Sequence, residues 1–165
     1  MKTNMKYKLI LLVLLPFIIG FLIEGLFRLG ITSLGSLLFI PWIYGGGLIF
    51  WFWVGRTFGK LNLQPIKSFI LGNLAWGISF GLYTWRVVFL NDISGSHFLT
   101  GLSEFYALGF VGLGTRILRL FTNQIHGTTA MQIAYFLMLI VFSLGFFSAL
   151  HLKSAQSEGL DESTG

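Results

Sequence analysis

Long apolar stretches separated by short charged segments are the feature that most constrains this chain. Four of them, at about residues 7–29, 34–54, 68–90 and 129–152, reach the roughly 20 residues that a helix needs to cross a bilayer. Of the 165 residues, 55% are hydrophobic and only 10% are charged, whereas a soluble domain is about a quarter charged. So short a chain cannot bury this much apolar surface in its own interior. We therefore predict an all-α, polytopic transmembrane helical bundle.

A fifth stretch, residues 98–121, is harder to assign. Its only charged residues are Glu104, Arg116 and Arg119, and as an external loop it would expose many aliphatic and aromatic side chains to water. It is therefore either another crossing, at about residues 98–118, or a re-entrant or interfacial helix. The two alternatives are five crossings, or four crossings and one helix that does not cross.

The distribution of basic residues favours five crossings with the N-terminus in the cytoplasm and the C-terminus outside. Cytoplasmic segments carry the excess of Lys and Arg in membrane proteins. With five crossings the cytoplasmic side has eight basic residues: Lys2, Lys6, Lys8, Arg56, Lys60, Lys67, Arg116 and Arg119. Three lie outside: Arg28, Arg86 and Lys153. With four crossings the count is seven against four, because Arg116 and Arg119 move outside and Lys153 moves inside. The expected location is a plasma membrane.

The chain is expected to form one domain. Its first apolar stretch follows three lysines, as in a signal peptide, but it continues to Leu29 without a small-residue cleavage site. We therefore interpret it as a retained first crossing. Residues 1–152 then form the transmembrane helical bundle. Residues 153–165 are polar and lack an apolar period, so they are predicted to be a disordered tail.

Charged residues inside the apolar stretches form the first candidate site: Glu24, Arg28, Arg86 and Glu104. At about 1.5 Å per residue, Glu24 lies about 24 Å along its helix from Lys8, and Glu104 lies about 10 Å below the outer surface. Charges at such depth usually pair with one another and face the bundle or a water-filled cavity. The cluster is therefore either a pocket for a ligand, an ion or a partner helix, or a set of salt bridges that lock the helices.

The third stretch contains Gly77, Ser79 and Gly81 in the pattern G-x-S-x-G. That pattern provides a nucleophile only on a strained strand-to-helix turn with a base nearby, and here it falls within a transmembrane helix. Asn73, Gly77 and Gly81 also recur at every fourth residue, which predicts a helix-packing groove. The glycines at 109, 112 and 114 are likewise better explained by close helix packing than by a phosphate-binding loop, which would follow a strand and precede a lysine.

Several classes of function are disfavoured. The chain has no cysteine, and its histidines, His97, His126 and His151, are isolated, so no metal site or cofactor is expected. The net charge of +5 arises from basic residues at the ends of apolar stretches, where lipid headgroups are the simplest partners, and nucleic-acid binding is not expected.

The leading hypothesis is a non-enzymatic accessory or transport-related subunit of a membrane complex, whose partners are the lipid bilayer and other membrane subunits or a second copy of itself. A second hypothesis is a small transporter or channel that acts as a homo-oligomer. It requires a polar path, yet the inner half of each stretch is almost free of charge. A third is an intramembrane enzyme acting on a lipid, with Glu104 or Glu24 as the base and Arg86 holding the headgroup.

Overall fold

Helices make up nearly all of the described part of the chain. A computed structural model describes residues 3–90, 97–124 and 126–161, and within these ranges it contains no β-strand, which confirms the predicted all-α class. Two π-helical segments, Trp42–Gly46 and Trp85–Leu90, join α2 to α3 and extend α4. The α-helices are α1 (Thr3–Arg28), α2 (Thr32–Pro41), α3 (Gly47–Gly59), α4 (Pro65–Thr84), α5 (His97–Phe121) and α6 (Gly127–Asp161).

Three helical stretches of the described chain are long and apolar enough to cross a membrane: Tyr7–Arg28, Thr32–Gly59 and Gly127–Lys153. They coincide with the first, second and last predicted crossings, so a helical bundle with candidate transmembrane helices is confirmed. The helices over the other two predicted crossings, α4 and α5, are not among them. The last helix continues to Asp161, into the predicted polar tail, and residues 162–165 lie outside the described residues.

A bend joins α2 and α3 into one rod. Proline lacks the N–H that a regular helix needs, so Pro41 weakens the hydrogen-bond ladder at this point. Four residues later Gly45 has φ 156° and ψ −23°, a conformation that residues with a side chain rarely adopt. The chain passes through a π-helical turn between the two helices. The bend places Trp42 against Gly109 of α5, with no room for a Cβ between them, which confirms close packing at that glycine.

The core of the bundle lies between α3 and α6. A Cβ at Gly55 would overlap the carbonyl oxygen of Phe142, and a Cβ at Gly145 would overlap the carbonyl oxygen of Phe52. Small residues allow two helix backbones to approach this closely. Beside them Trp51 and Phe142 are both 0% exposed, with ring centroids 5.9 Å apart. Glycines thus set the distance between the two helices, and aromatic rings fill the space around them.

The directions of α4 and α6 differ from those expected for five crossings. Near the start of α6, the Thr128 carbonyl accepts a hydrogen bond of 3.2 Å from the Tyr83 hydroxyl, which lies near the end of α4. Near residue 153 of α6, Lys153 Nζ lies 3.1 Å from Oδ1 of Asn62, just before α4 begins. The two helices are therefore antiparallel. Five crossings would require them to run in the same direction, so that prediction, with its loop at residues 122–128 on the side of the α3–α4 turn, is not confirmed.

The helix α5 packs against both α6 and α1. Between Ser103 and Gly114, its contacts on α6 move only from Tyr135 back to Ala130. Its Tyr106 hydroxyl also donates to a carbonyl of α1, at 3.3 Å. The close packing predicted for Gly114 is confirmed, since a Cβ there would overlap the Ala130 carbonyl oxygen. The apolar stretch over α5 is thus packed against other helices of the chain.

Candidate functional site

The predicted charged cluster is assembled from α1, the π-helical extension of α4, and α5. Within α1, Arg28 Nε lies 2.9 Å from Glu24 Oε1, an ion pair between residues four positions apart. Glu104 of α5 is half-buried and lies within electrostatic range of both the Arg86 guanidinium and the Glu24 carboxylate. Arg28 is the most accessible of the four, with its side chain 77% exposed. The fold therefore brings charges from three helical segments together at the end of the bundle where α1 and α4 end.

A buried hydrogen-bond network, which we name the tyrosine network, continues from this cluster and was not predicted. The Tyr135 hydroxyl of α6 donates to the Ser103 carbonyl oxygen at 2.6 Å and lies 2.7 Å from Ser79 Oγ of α4. Ser79 Oγ also lies 3.4 Å from the Ser103 carbonyl oxygen, so both hydroxyls meet at this acceptor. All three residues are buried. Ser103 directly precedes Glu104, so the charged cluster and the tyrosine network are continuous along α5.

Further donors of this region also join one helix to another. Trp76 Nε1 of α4 donates to the Tyr135 carbonyl at 3.0 Å, and the Tyr106 hydroxyl donates to the Val13 carbonyl of α1. The Tyr83 hydroxyl bonds Thr128, as described above. Each of these acceptors is a backbone carbonyl on a helix other than that of its donor. Their common effect is to fasten the helices around α5.

The sequence did not predict these hydrogen bonds, because a tyrosine or serine inside an apolar stretch can also be a side chain that only fills space. One signal was available. A buried tyrosine hydroxyl usually has a hydrogen-bond partner, and Tyr83, Tyr106 and Tyr135 all lie within apolar stretches. Since a hydroxyl in the bilayer core has no water to bond, three such residues indicate partners on other helices.

Ser79 is placed as a hydrogen-bonding group and not as an activated nucleophile. It lies in the regular helix α4, as predicted, and not on a strained turn. Its hydroxyl contacts the Tyr135 phenol and the Ser103 carbonyl, neither of which is a general base of the kind that activates a serine. His126 and His151 are exposed near the two ends of the apolar part of α6, and the side chain of His97 lies outside the described residues.

The residues of the packing groove predicted for α4 differ in their exposure. Asn73 is buried, and its Nδ2 donates to the Phe69 carbonyl within the same helix. Gly77 and Gly81 are exposed, and no atom of the chain lies within 4 Å of a Cβ built at either position. Neither glycine therefore makes a tight contact within this chain, and a contact with another chain stays a prediction. The physical reason is the helix face: α4 turns Ser68, Gly72, Ser79 and Tyr83 inward, which leaves the two glycines on the opposite side.

Metal ligands are not grouped in the part of the chain that the structure describes. In residues 3–90, 97–124 and 126–161 no three His, Asp or Glu side chains are placed so that they could hold a metal ion together. The charged cluster alternates acid and base instead, an arrangement suited to ion pairing.

No protein-family model, curated protein or solved structure matches the chain. Its function is therefore argued from the geometry of the bundle alone.

Proposed function

We propose that the protein is a small non-enzymatic membrane component, an accessory or transport-related subunit whose charged cluster faces the outside and meets a partner there. The observation that carries this proposal is the position of Glu104, half-buried beside Arg86 and Glu24 at one end of the bundle. A half-buried acid between two helices holds them in register and gives a second protein a charged surface to recognise.

The proposed topology has four crossings, formed by α1, the α2–α3 rod, α4 with its extension, and α6, with both chain ends in the cytoplasm. The antiparallel run of α4 and α6 supports it, because α5 then begins and ends on the outer side. The positive-inside rule supports the orientation: Lys60, Lys67 and Lys153 then share the cytoplasmic side with the lysines before α1. A plasma membrane is the proposed location.

The donors around α5 support a structural role over an ion path. A conducting path needs polar groups that an ion can meet in succession. The hydroxyls of Tyr83, Tyr106 and Tyr135 instead bind backbone carbonyls of neighbouring helices. At the other end of the bundle the contacts are made by glycines and aromatic rings.

Single cysteines test the topology, and the chain contains no native cysteine that would interfere. An impermeant thiol reagent added to intact cells should label Asn123→Cys and should not label Asn62→Cys or Ser157→Cys until the cells are opened. Labelling of Ser157→Cys from outside, with Asn123→Cys protected, would reject four crossings.

Photo-crosslinking in cells tests the role. Leu29 and Ile66 are 76% and 74% exposed and lie at opposite ends of the bundle, so they form a matched pair. A photoreactive amino acid at position 29, beside the charged cluster, should give one discrete adduct of higher mass, and at position 66 it should not. An adduct of twice the mass of the chain indicates a second copy. Equal adducts from both positions, or none from position 29, would reject a partner at the cluster.

Reconstitution separates the proposal from the channel hypothesis. The purified protein in liposomes should leave the ion permeability at the level of empty liposomes. Flux that rises with the protein-to-lipid ratio, and that is lost in Glu104→Gln, would instead favour a small transporter or channel.

A further inference from the structure

An apolar groove runs between α1 and α4, away from the charged cluster. Its cavity volume is about 460 Å³, and its lining includes Leu9, Val13, Leu14, Leu71, Ala75 and Ile78. A second cavity of about 240 Å³ shares Leu14, Ala75 and Ile78 with the first, so the two form one elongated space. The first volume falls within the range of about 300–1,000 Å³ that is typical of small-molecule sites.

The lining of this groove selects an aliphatic ligand. Every side chain around the first cavity is apolar, so an ion or a sugar would lose its hydration there without gaining a partner. The groove is also open along its length: Ile10, Leu14 and Ile78 line it and are 57%, 43% and 58% exposed. In a chain whose α1 is apolar enough to cross a membrane, that open side faces hydrocarbon. A lipid chain can therefore enter sideways.

The two ends of the groove differ in polarity. The second cavity ends against Ser79 and Ser103 of the tyrosine network, whose hydrogen bonds to Tyr135 are already made. Beyond the other end, Lys67 precedes Leu71 by four residues on the same face of α4 and is exposed. Lys8, also exposed, directly precedes Leu9 on α1. Basic residues at this level attract anionic lipid headgroups.

We infer that the groove between α1 and α4 holds one acyl chain of an anionic phospholipid, whose phosphate lies at Lys67. The acyl chain runs along Leu71, Ala75 and Ile78 and ends next to the tyrosine network. The headgroup remains at the membrane surface, where the lysine neutralises it. This site shares no residue with the charged cluster, so lipid binding can be tested separately from the proposed partner.

Native mass spectrometry of the detergent-purified protein, titrated with phosphatidylglycerol or with phosphatidylcholine of the same acyl chains, tests the inference. One phosphatidylglycerol should bind per chain, more tightly than phosphatidylcholine. Lys67→Gln should weaken phosphatidylglycerol binding about fivefold and leave phosphatidylcholine binding unchanged. Lys60→Gln, which removes an exposed lysine from the turn after α3, is the charge control and should bind like the native chain.

Two isoleucines of α4 provide the control for the acyl chain. Ile78 and Ile70 are 58% and 59% exposed, but only Ile78 lines the groove. Ile78→Trp should abolish binding of both lipids, and Ile70→Trp should not. Leu14→Trp fills the groove from α1 and serves if Ile78→Trp fails to fold.

Equal affinity for the two lipids, or native binding by the folded groove-filling variant, would overturn the inference. Inorganic phosphate alone should neither bind nor raise the melting temperature. Stabilisation by phosphate without an acyl chain would point to a simple anion site at the lysine and would also overturn it.

Discussion

Two halves of this bundle differ in the contacts that predominate between their helices. In the packed half, formed by residues 51–59, 68–72 and 142–149, backbones touch at glycines, aromatic rings fill the remaining space, and one buried hydroxyl, that of Ser68, donates to the Phe58 carbonyl. In the polar half, formed by residues 79–86, 103–106 and 128–135, tyrosine and serine hydroxyls reach from helix to helix beside a charged cluster. A close glycine contact, that of Gly114 with the Ala130 carbonyl, occurs there as well. The helices α4 and α6 contribute to both halves, whereas α3 belongs to the packed half and α5 to the polar half.

The comparison indicates where the molecule can change and where it cannot. Close-packed backbones have no room for rearrangement, because a shift at one contact creates a clash or a void at the next. Hydrogen bonds between membrane helices contribute only about 0.6 kcal/mol each on average, and their geometry can adjust. We therefore expect the packed half to be the more rigid of the two, and the hydrogen bonds of the polar half to be easier to rearrange.

The largest effect is expected at the closest helix contact. Gly145→Leu would place a side chain against the Phe52 carbonyl, where both atoms of the clash are fixed by backbones. Thermal unfolding in a single detergent should show a loss of about 3 kcal/mol, at the upper end of the range for overpacking. Gly77→Leu introduces the same side chain where no atom lies within 4 Å and should be nearly silent. Equal losses in the two variants would contradict the packed half as described.

The next effect is expected in the charged cluster. Arg86→Ala should cost about 1–2 kcal/mol, because it leaves the half-buried Glu104 without its counter-charge. Arg28→Ala should cost less than about 1 kcal/mol, since its side chain is 77% exposed and surface ion pairs contribute little. The double variant of Arg86 and Glu104 should cost less than the sum of the single changes. Strict additivity would show that the two residues do not act together.

A smaller effect is expected in the tyrosine network. Tyr135→Phe removes the hydroxyl that bonds Ser103 and Ser79, at a cost of about 0.6–1.7 kcal/mol in the range measured for membrane proteins. Adding Ser79→Ala to that variant should cost little more, because the serine then retains only its long contact of 3.4 Å to the Ser103 carbonyl. The same denaturation assay measures both. A full additional loss from Ser79→Ala would indicate that its hydroxyl has another role.

The smallest effect is expected at the far end of the packed half. Lys153→Ala removes an exposed hydrogen bond to Asn62 and should change the stability by less than about 0.5 kcal/mol. This variant serves as a reference. Stability should depend on side-chain volume more than on charge in the packed half, and on charge more than on volume in the polar half. A loss at Lys153 as large as that at Arg86 would remove the distinction.

The sequence alone predicted the helical class and the packing roles of Gly109 and Gly114, because these follow from composition and residue size. It could not predict the direction of α6, since the counts of basic residues for four and five crossings differ by only one on each side. It also could not distinguish Trp51 from Trp53, which are 0% and 52% exposed two residues apart. Which side of α3 faces α6 depends on Gly55 meeting Phe142, a contact between residues far apart in the chain.

The pairing of α3 with α6 has a consequence for biosynthesis. During synthesis α3 is completed before α4, α5 and α6. The glycine face of α3 therefore has no packing partner until α6 has been made. Release of the last helix therefore completes the core in one late step. Nascent chains truncated before residue 142 lack that step, and they present to quality-control proteases a helix surface that the finished protein conceals.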